Sequence, residues 1–245
     1  MANKRTTQIF GEQKKNDFIY YSIMTILIIL FTMFIILSNY KNNIYNFQFY
    51  KEEYKQNHVY QQLNSTLNET AVDGITINLF YYLNGNTNSL NSTFFSERDQ
   101  LHLKDVKSLI KTSKIVYTII VILIFILFII LGYKNKHNFR KAMAIVFIVS
   151  SLLCLLLICI AYSERNNFKS DFITFHEQVF NNDYWQLDPA KDNLVNLYPQ
   201  QFWYDITAKI LKDSAIYAIL FLIIGCNLLL FGYLKKRYYK PQQSN

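Results

Sequence analysis

The sequence predicts an all-α membrane protein. Four transmembrane helices carry an extracytoplasmic, mainly helical cap, with room for minor strands, built from two long loops. Two observations carry this reading. The 245-residue chain has a mean hydropathy of only +0.08, yet it holds four windows without one charged side chain. They cover residues 18–40, 115–133, 142–163 and 214–234, which are 23, 19, 22 and 21 residues long. A helix needs about 20 apolar residues to cross the hydrocarbon core, and each window is close to that. A soluble enzyme, a DNA-binding domain and a disordered tail are excluded together.

The second observation is where the charge lies. The segments 1–17, 134–141 and 235–245 hold 12 Lys/Arg and two acids, Glu12 and Asp17. The long connections 41–114 and 164–213 hold 13 Lys/Arg and 15 acids. Short Lys/Arg-rich segments stay cytoplasmic. Both termini and the middle turn are therefore expected inside, and both long loops outside. The formal charge of +8 divides into +10 inside and −2 outside, so it reports topology and implies no nucleic-acid partner. Membrane phospholipid is the partner that this pattern implies.

In chain order, Lys14 and Lys15 precede an apolar run too long for a signal h-region, with no small-x-small cleavage site after it, so the first helix is read as retained. In the first outer loop Tyr45, Phe47 and Phe49 alternate, a strand signal. Ile75–Leu83 fits both the strand and the helical period, and Gly85 as a C-cap favours the helix. Ser96 followed by Asp99 is a capping box, which starts a helix at Glu97. No Gly or Pro interrupts that helix before Gly132, so it runs into the second span. Along it Lys104, Lys107, Lys111 and Lys114 share one sector, read as a solvated or headgroup-facing stripe. Arg98, His102, Asp105 and Leu109 share the opposite sector, a poor water face and a plausible wall of a site.

In the second loop Phe168, Phe172, Phe175 and Val179 form a packing stripe at helical spacing. His176 projects beside it. Asp188-Pro189 reads as a helix start that Pro199 ends, opening the next helix. Tyr184, Trp185, Phe202, Trp203 and Tyr204 suit an interfacial aromatic belt. Cys154, Cys159 and Cys226 all fall in predicted helices, so no disulfide framework and no Cys-based metal site is expected. The sequons at Asn64, Asn68 and Asn91 are compositional.

Four histidines bound the chemistry. His58 and His137 lie in polar stretches and are expected to be solvated. His102 and His176 each lie on a mixed or apolar helical sector of a different outer loop, which makes them the candidate pair. No G-x-S-x-G elbow and no Gly-rich phosphate loop occurs. The spans contain no ionisable group for an ion path. Zinc held by two histidines with Asp105 or Glu177 is an alternative, although no H-E-x-x-H is present.

The residues Phe95-Ser96-Glu97-Arg98-Asp99-Gln100-Leu101-His102-Leu103-Lys104-Asp105-Val106-Lys107 resemble the signature F-S-x-R-E-x-x-H-[ML]-x-D-V-K of the lipoprotein intramolecular transacylase family. The second loop agrees through Phe175-His176-Glu177, Asn182-Asp183-Tyr184-Trp185, Asp188-Pro189, Asp192, Pro199 and Phe202. Asp99 stands where the family has Glu, and Val179, Leu187 and Tyr198 replace expected Phe or Leu. The resemblance implies transfer of an ester-linked fatty acyl chain, within one diacylglyceryl-modified bacterial lipoprotein, to the α-amino group of its N-terminal cysteine. It implies His102 and His176 as catalytic acid and base. Arg98, Asp105, Glu177, Asp183, Trp185 and Tyr204 are the candidates for oxyanion stabilisation and substrate positioning. No cofactor is expected, since ester to amide is downhill and needs no nucleotide, and no metal, since two imidazoles can serve as acid and base. The competing reading is a non-enzymatic membrane accessory protein that binds lipid or lipoprotein.

Overall fold

The computed structural model describes residues 2–63, 66–90, 93–134, 136 and 138–238, with backbone alone for 2–12, 15 and 236–238. Asn64, Asn91 and His137 lie outside the described residues. All regular structure among the described residues is helical. The elements are α1 (Ala2–Asn43), α2 (Phe47–Gln56), α3 (Val59–Leu63), α4 (Glu69–Asn84), α5 (Glu97–Lys134), α6 (Phe139–Ser163), α7 (Phe168–Val179), α8 (Leu194–Leu197) and α9 (Gln200–Tyr238).

Four helices are long and apolar enough to cross a membrane: Asn16–Asn43 within α1, Glu97–Lys134, Phe139–Ser163 and Gln200–Lys235. The 38 residues of α5 extend about 57 Å at 1.5 Å per residue, nearly twice the hydrocarbon thickness of about 30 Å. Its charge-free window 115–133, at 19 residues, is by itself about as long as that thickness requires. The same holds for α9 and its 21-residue window 214–234.

The chain divides into two compact units. One comprises the described parts of Met1–Leu37, Thr118–Ile158 and Ser214–Asn245. Without a hydrophobic force between helices in lipid, small residues and shared hydrogen bonds hold such a unit together. Ala142, Ala144, Ser150 and Ser151 are buried on α6. Ser150 Oγ donates to the Ile28 carbonyl at 3.0 Å, and Thr32 Oγ1 lies 3.2 Å from the Ser150 carbonyl. A Cβ added at Gly225 would stand 2.7 Å from Ile148 Cγ1, so α6 and α9 pack there only because the position is glycine. Large apolar side chains such as Ile122, Phe125, Leu152 and Leu220 face outward, as lipid contact requires.

The other unit, Ser38–Tyr117 with Cys159–Asp213, holds the loops. Its core joins Tyr50, Tyr54, Val72, Leu79, Leu197 and Phe202, with the Tyr54 and Thr76 hydroxyls 2.6 Å apart. α4 ends at Gly85 with φ +91°, as its sequence implies. The capping box of α5 is reciprocal: the Asp99 amide donates to Ser96 Oγ and the Ser96 amide to Asp99 Oδ2, each at 3.0 Å.

Four local expectations are corrected. The Tyr45–Phe47–Phe49 alternation enters helix α2, because the Asn46 side chain accepts from the Phe49 amide at 3.3 Å and caps it. Asp188-Pro189 opens a single turn, since Asp192 Oδ2 takes the Asp188 amide at 2.8 Å, and the short helix begins later at Leu194. Phe202 is core and does not belong to a belt. The lysine stripe is only partly solvated. Lys107 Nζ donates to the Thr87 carbonyl at 2.7 Å and sits 4.1 Å from the Tyr82 ring centroid, and Lys114 Nζ donates to Asn84 Oδ1 at 2.6 Å.

Candidate active site

His102 and His176 come together. Their ring centroids are 6.0 Å apart, and they are 7% and 8% exposed. α7 delivers His176 through the line Phe172–His176–Phe180. The Phe168–Phe172–Phe175–Val179 stripe is split, with Phe175 and Val179 exposed and His176 the buried residue of α7. The helix ends as Phe180 turns to extended backbone, which folds the Phe180 ring to 5.2 Å from His102 and 5.6 Å from His176. Phe172 at 4.2 Å and Trp185 at 5.1 Å complete an aromatic box around His176.

The hydrogen bonding fixes a tautomer. His176 Nδ1 lies 2.6 Å from the Phe172 carbonyl oxygen. A carbonyl only accepts, so Nδ1 carries the proton and Nε2 of the neutral ring holds a free lone pair. Burial pushes the His176 pKa below 6.5, against the Phe172 bond, which pulls it up. His102 stands more than three turns before the charge-free window 115–133 of α5. Burial first, and then the neighbouring His176, press its pKa down to about 4, with Asp105 acting in the opposite sense. Both rings are therefore neutral at physiological pH. His102 Nδ1 is buried without a hydrogen-bond partner among the described residues.

The other sequence candidates fall into three groups. Asp105 is half-buried and accepts from Asn182 Nδ2 at 2.9 Å, so it ties α5 to the loop after α7. Arg98 is exposed and its guanidinium donates to the Asp183 carbonyl of that same loop. Tyr204 meets the Phe168 ring edge-on at 5.4 Å. The Asp183 and Glu177 side chains are exposed. Neither they nor Arg98 line the cavity described below. Among the described residues, no three His, Cys, Asp or Glu side chains converge as a metal site would require.

A cavity of about 390 Å³ opens beside the two imidazoles. Its walls are almost wholly aliphatic and aromatic, contributed by α1, α4, α5, α7 and α9, with Val106, Ile110, Trp203 and Ile210 among them. An apolar slot with a few convergent polar groups at one end is the usual form of a small-ligand site.

A family model for the lipoprotein intramolecular transacylase Lit matches residues 25–203, more than half of the chain. The chain belongs to that family. Its members are membrane acyltransferases that act on lipoproteins. The membrane integral lipoprotein intramolecular transacylase Lit from Bacillus cereus has the same fold, with a TM-score of 0.72 at 21% identity over 89% of this chain and 99% of that one. Two variants of that protein, with one histidine changed to arginine or to alanine, align with TM-scores of 0.73 and 0.72 at 19% and 18% identity. They cover 95% and 93% of this chain, and each is itself covered to 99%. No curated protein matches the chain.

Within the transacylase fold, sequence reasoning missed the clasp that joins the two loops. Asp99 is fully buried. Its Oδ2 accepts from the Asn193 and Leu194 amides at 2.9 and 3.3 Å as well as from its own cap partner. Ser96 Oγ in turn donates to Asp192 Oδ1 at 2.7 Å. The capping box was the visible signal; its second use, on a segment about 95 positions away, leaves no trace in local spacing. Phe180 and Asn182 were missed for the same reason.

Proposed function

We propose that the two imidazoles carry the transfer as a neutral acid–base pair, and that the cavity beside them receives the migrating acyl chain. The observation that bears most weight is the pairing itself: two buried, neutral histidines, one with Nε2 fixed as an acceptor, at one end of an apolar slot. Imidazole is suited to moving a proton near neutral pH.

The substrate is a lipoprotein whose N-terminal cysteine carries a diacylglyceryl group. Its α-amino group, with an ordinary pKa of about 8, attacks the carbonyl of the sn-2 ester. The N–C bond forms, the C–O bond to glycerol breaks, and one proton passes from nitrogen to the departing oxygen. His176 Nε2 takes that proton as nitrogen loses its lone pair. The pair then returns it to glycerol oxygen, with an N–H of neutral His102 available to the developing oxyanion. The product is an N-acyl lyso-lipoprotein, and no nucleotide or metal enters the balance. Donor and acceptor belong to one molecule, so holding them in register supplies several kcal/mol of the barrier, up to about 7–11 kcal/mol. A dry aromatic box favours transfer over hydrolysis.

Arg98, Asp105, Asp183 and Trp185 act in positioning. The bonds from Arg98 to Asp183 and from Asn182 to Asp105 hold the loop that presents Trp185 to His176. Glu177 and Tyr204 flank the α7 face and are assigned to substrate approach. Both termini lie in the cytoplasm and both loops outside, which puts the pair on the extracytoplasmic face. The charge bias of the short segments supports this. Mass spectrometry of lipoprotein N-termini from cells with and without the protein tests the reading. N-acyl lyso forms should depend on its presence, and unchanged N-termini would favour an accessory role.

A further inference from the structure

The cavity lining is ordered by helix register: His102 and Trp203 come first on α5 and α9, with the His176 and Phe180 rings 6.0 and 5.2 Å from His102. Tyr40, Asp171 and Thr207 add polar groups along the walls. Side-chain cross-links fix the level of the far end. Lys114 Nζ lies 2.6 Å from Asn84 Oδ1 and 5.3 Å from the Tyr45 ring centroid, while Asn43 Nδ2 donates to Asp213 Oδ2 at 2.9 Å. These contacts bring the ends of α1 and α4 beside the turns of α5 and α9 that follow the site. The cavity walls around that level are Ile44, Leu83, Ile110 and Ile210, with Tyr40 one turn of α1 beyond Ile44.

Between the two ends α5 advances from His102 to Ile110 and α9 from Trp203 to Ile210, about 12 and 10 Å at 1.5 Å per residue. An extended chain gains about 1.2 Å per bond, so that distance takes about nine or ten carbons. The volume of 390 Å³ corresponds to about thirteen groups of roughly 30 Å³ each. Length and volume thus agree on a slot for about ten to thirteen carbons.

We infer that this slot is a chain-length gauge for the transferred acyl group, with Ile110, Ile210 and the Tyr40 side chain at its stop; the inference rests on the acyl-transfer reading above. The ester carbonyl sits at the imidazoles and the hydrocarbon runs toward Ile44, Ile110 and Ile210. Each methylene that enters the slot leaves the surrounding apolar phase only for a better-packed one when that phase is a detergent or lipid tail. The gain per carbon is then set by fit to the walls, well below the roughly fourfold of transfer from water. Carbons beyond the stop gain nothing. Selectivity therefore rises with chain length and then breaks.

The test is a competition in mixed detergent micelles. Two synthetic diacylglyceryl-lipopeptides that differ only at the sn-2 chain, from 6 to 18 carbons, share one micelle. The ratio of N-acyl products, read by mass spectrometry, gives relative kcat/KM free of partitioning differences. The wild type should prefer the longer chain of each pair up to about ten to thirteen carbons and show no preference or a reversed one beyond. Ile110→Trp should bring the break forward by a few carbons, and Ile210→Ala, a change the fold tolerates more readily, should push it back. The same break in wild type and both variants, or no break at all, overturns the gauge while leaving the transfer reading intact. Absence of N-acyl product from every substrate with the wild type overturns the reading beneath it.

Discussion

Replacing His102 by Gln removes a titration that should cost the folded protein about 3 kcal/mol on acidification. The ring is buried, and its pKa is held down from 6.5 to about 4. On acidification the unfolded chain takes up this proton near pH 6.5, whereas the folded chain resists until about pH 4. Across that interval the unfolded state binds more protons, so stability falls as pH falls. Above pH 6.5 neither state carries the charge and the contribution is nil; below about pH 4 both do and the loss is complete. At about 1.4 kcal/mol per pH unit, the interval amounts to about 3 kcal/mol. The assay is equilibrium unfolding in mixed micelles at intervals from pH 7.5 to 4, comparing wild type with His102→Gln. Groups that do not sense His102 titrate in both proteins and cancel in the difference, among them Glu53, whose carboxyl is pushed up to about 7 by burial and by Asp205. The variant should gain on the wild type steadily below pH 6.5. Parallel stability curves would show that the imidazole is not held neutral by its surroundings, and the acid–base assignment would lose its basis.

The pH–rate profile should fall by one proton below about pH 8, as the substrate's α-amino group is protonated, with no second protonation setting in at pH 6.5, because both imidazoles have depressed pKa values; a fall that steepens to two protons at or above pH 6.5 contradicts neutral, buried bases. Asp99→Ala strips the Asn193 and Leu194 amides of their acceptor and should cost about 3–7 kcal/mol, two buried donors at about 1–3 kcal/mol each plus about 1 kcal/mol for the cap, measured by the same unfolding assay. Arg98→Ala should lower kcat about tenfold with little change in KM if it acts by holding the loop that carries Trp185, and rescue by Arg98→Lys distinguishes loop tethering from a bidentate contact with substrate. Cysteine introduced at Gln61 in a background without Cys154, Cys159 and Cys226 should react with an impermeant reagent from outside intact cells. Labelling only after permeabilisation would reverse the topology.

How far the sequence carried the fold depended on the range of each signal. The spanning helices were legible because lipid demands long charge-free windows, and each of the four windows falls within a helix long and apolar enough to cross a membrane. The start of α5 and the end of α4 were legible because Ser96, Asp99 and Gly85 act on their own backbone. The second loop was read less well. Asp188-Pro189 is a sound local helix signal, but the Asp188 amide turns to the Asp192 carboxylate four residues on, and the Asn193 and Leu194 amides go to Asp99, so the helix begins only at Leu194. The two histidines stood out as a pair of polar rings on apolar sectors. Their aromatic box did not, because Phe180 and Trp185 are brought to His176 by a chain reversal that periodicity does not encode. Lys107 and Lys114 illustrate the converse. Helical spacing set their common face correctly, yet what they face is α4 and its carbonyl end, which only the fold supplies.

The central claim is that His102 and His176 act as one unit, and a double-mutant cycle tests it most directly. N-acyl lyso-lipoprotein formation would be measured by mass spectrometry for His102→Ala, His176→Ala and the double variant, with membrane insertion verified for each. Residues that share one proton transfer are strongly non-additive. Each single change is expected to lower the rate by on the order of 10³-fold or more, with the double change no worse than either alone. Multiplying losses would assign the two rings separate tasks, and full activity in His176→Ala would contradict the shared mechanism outright.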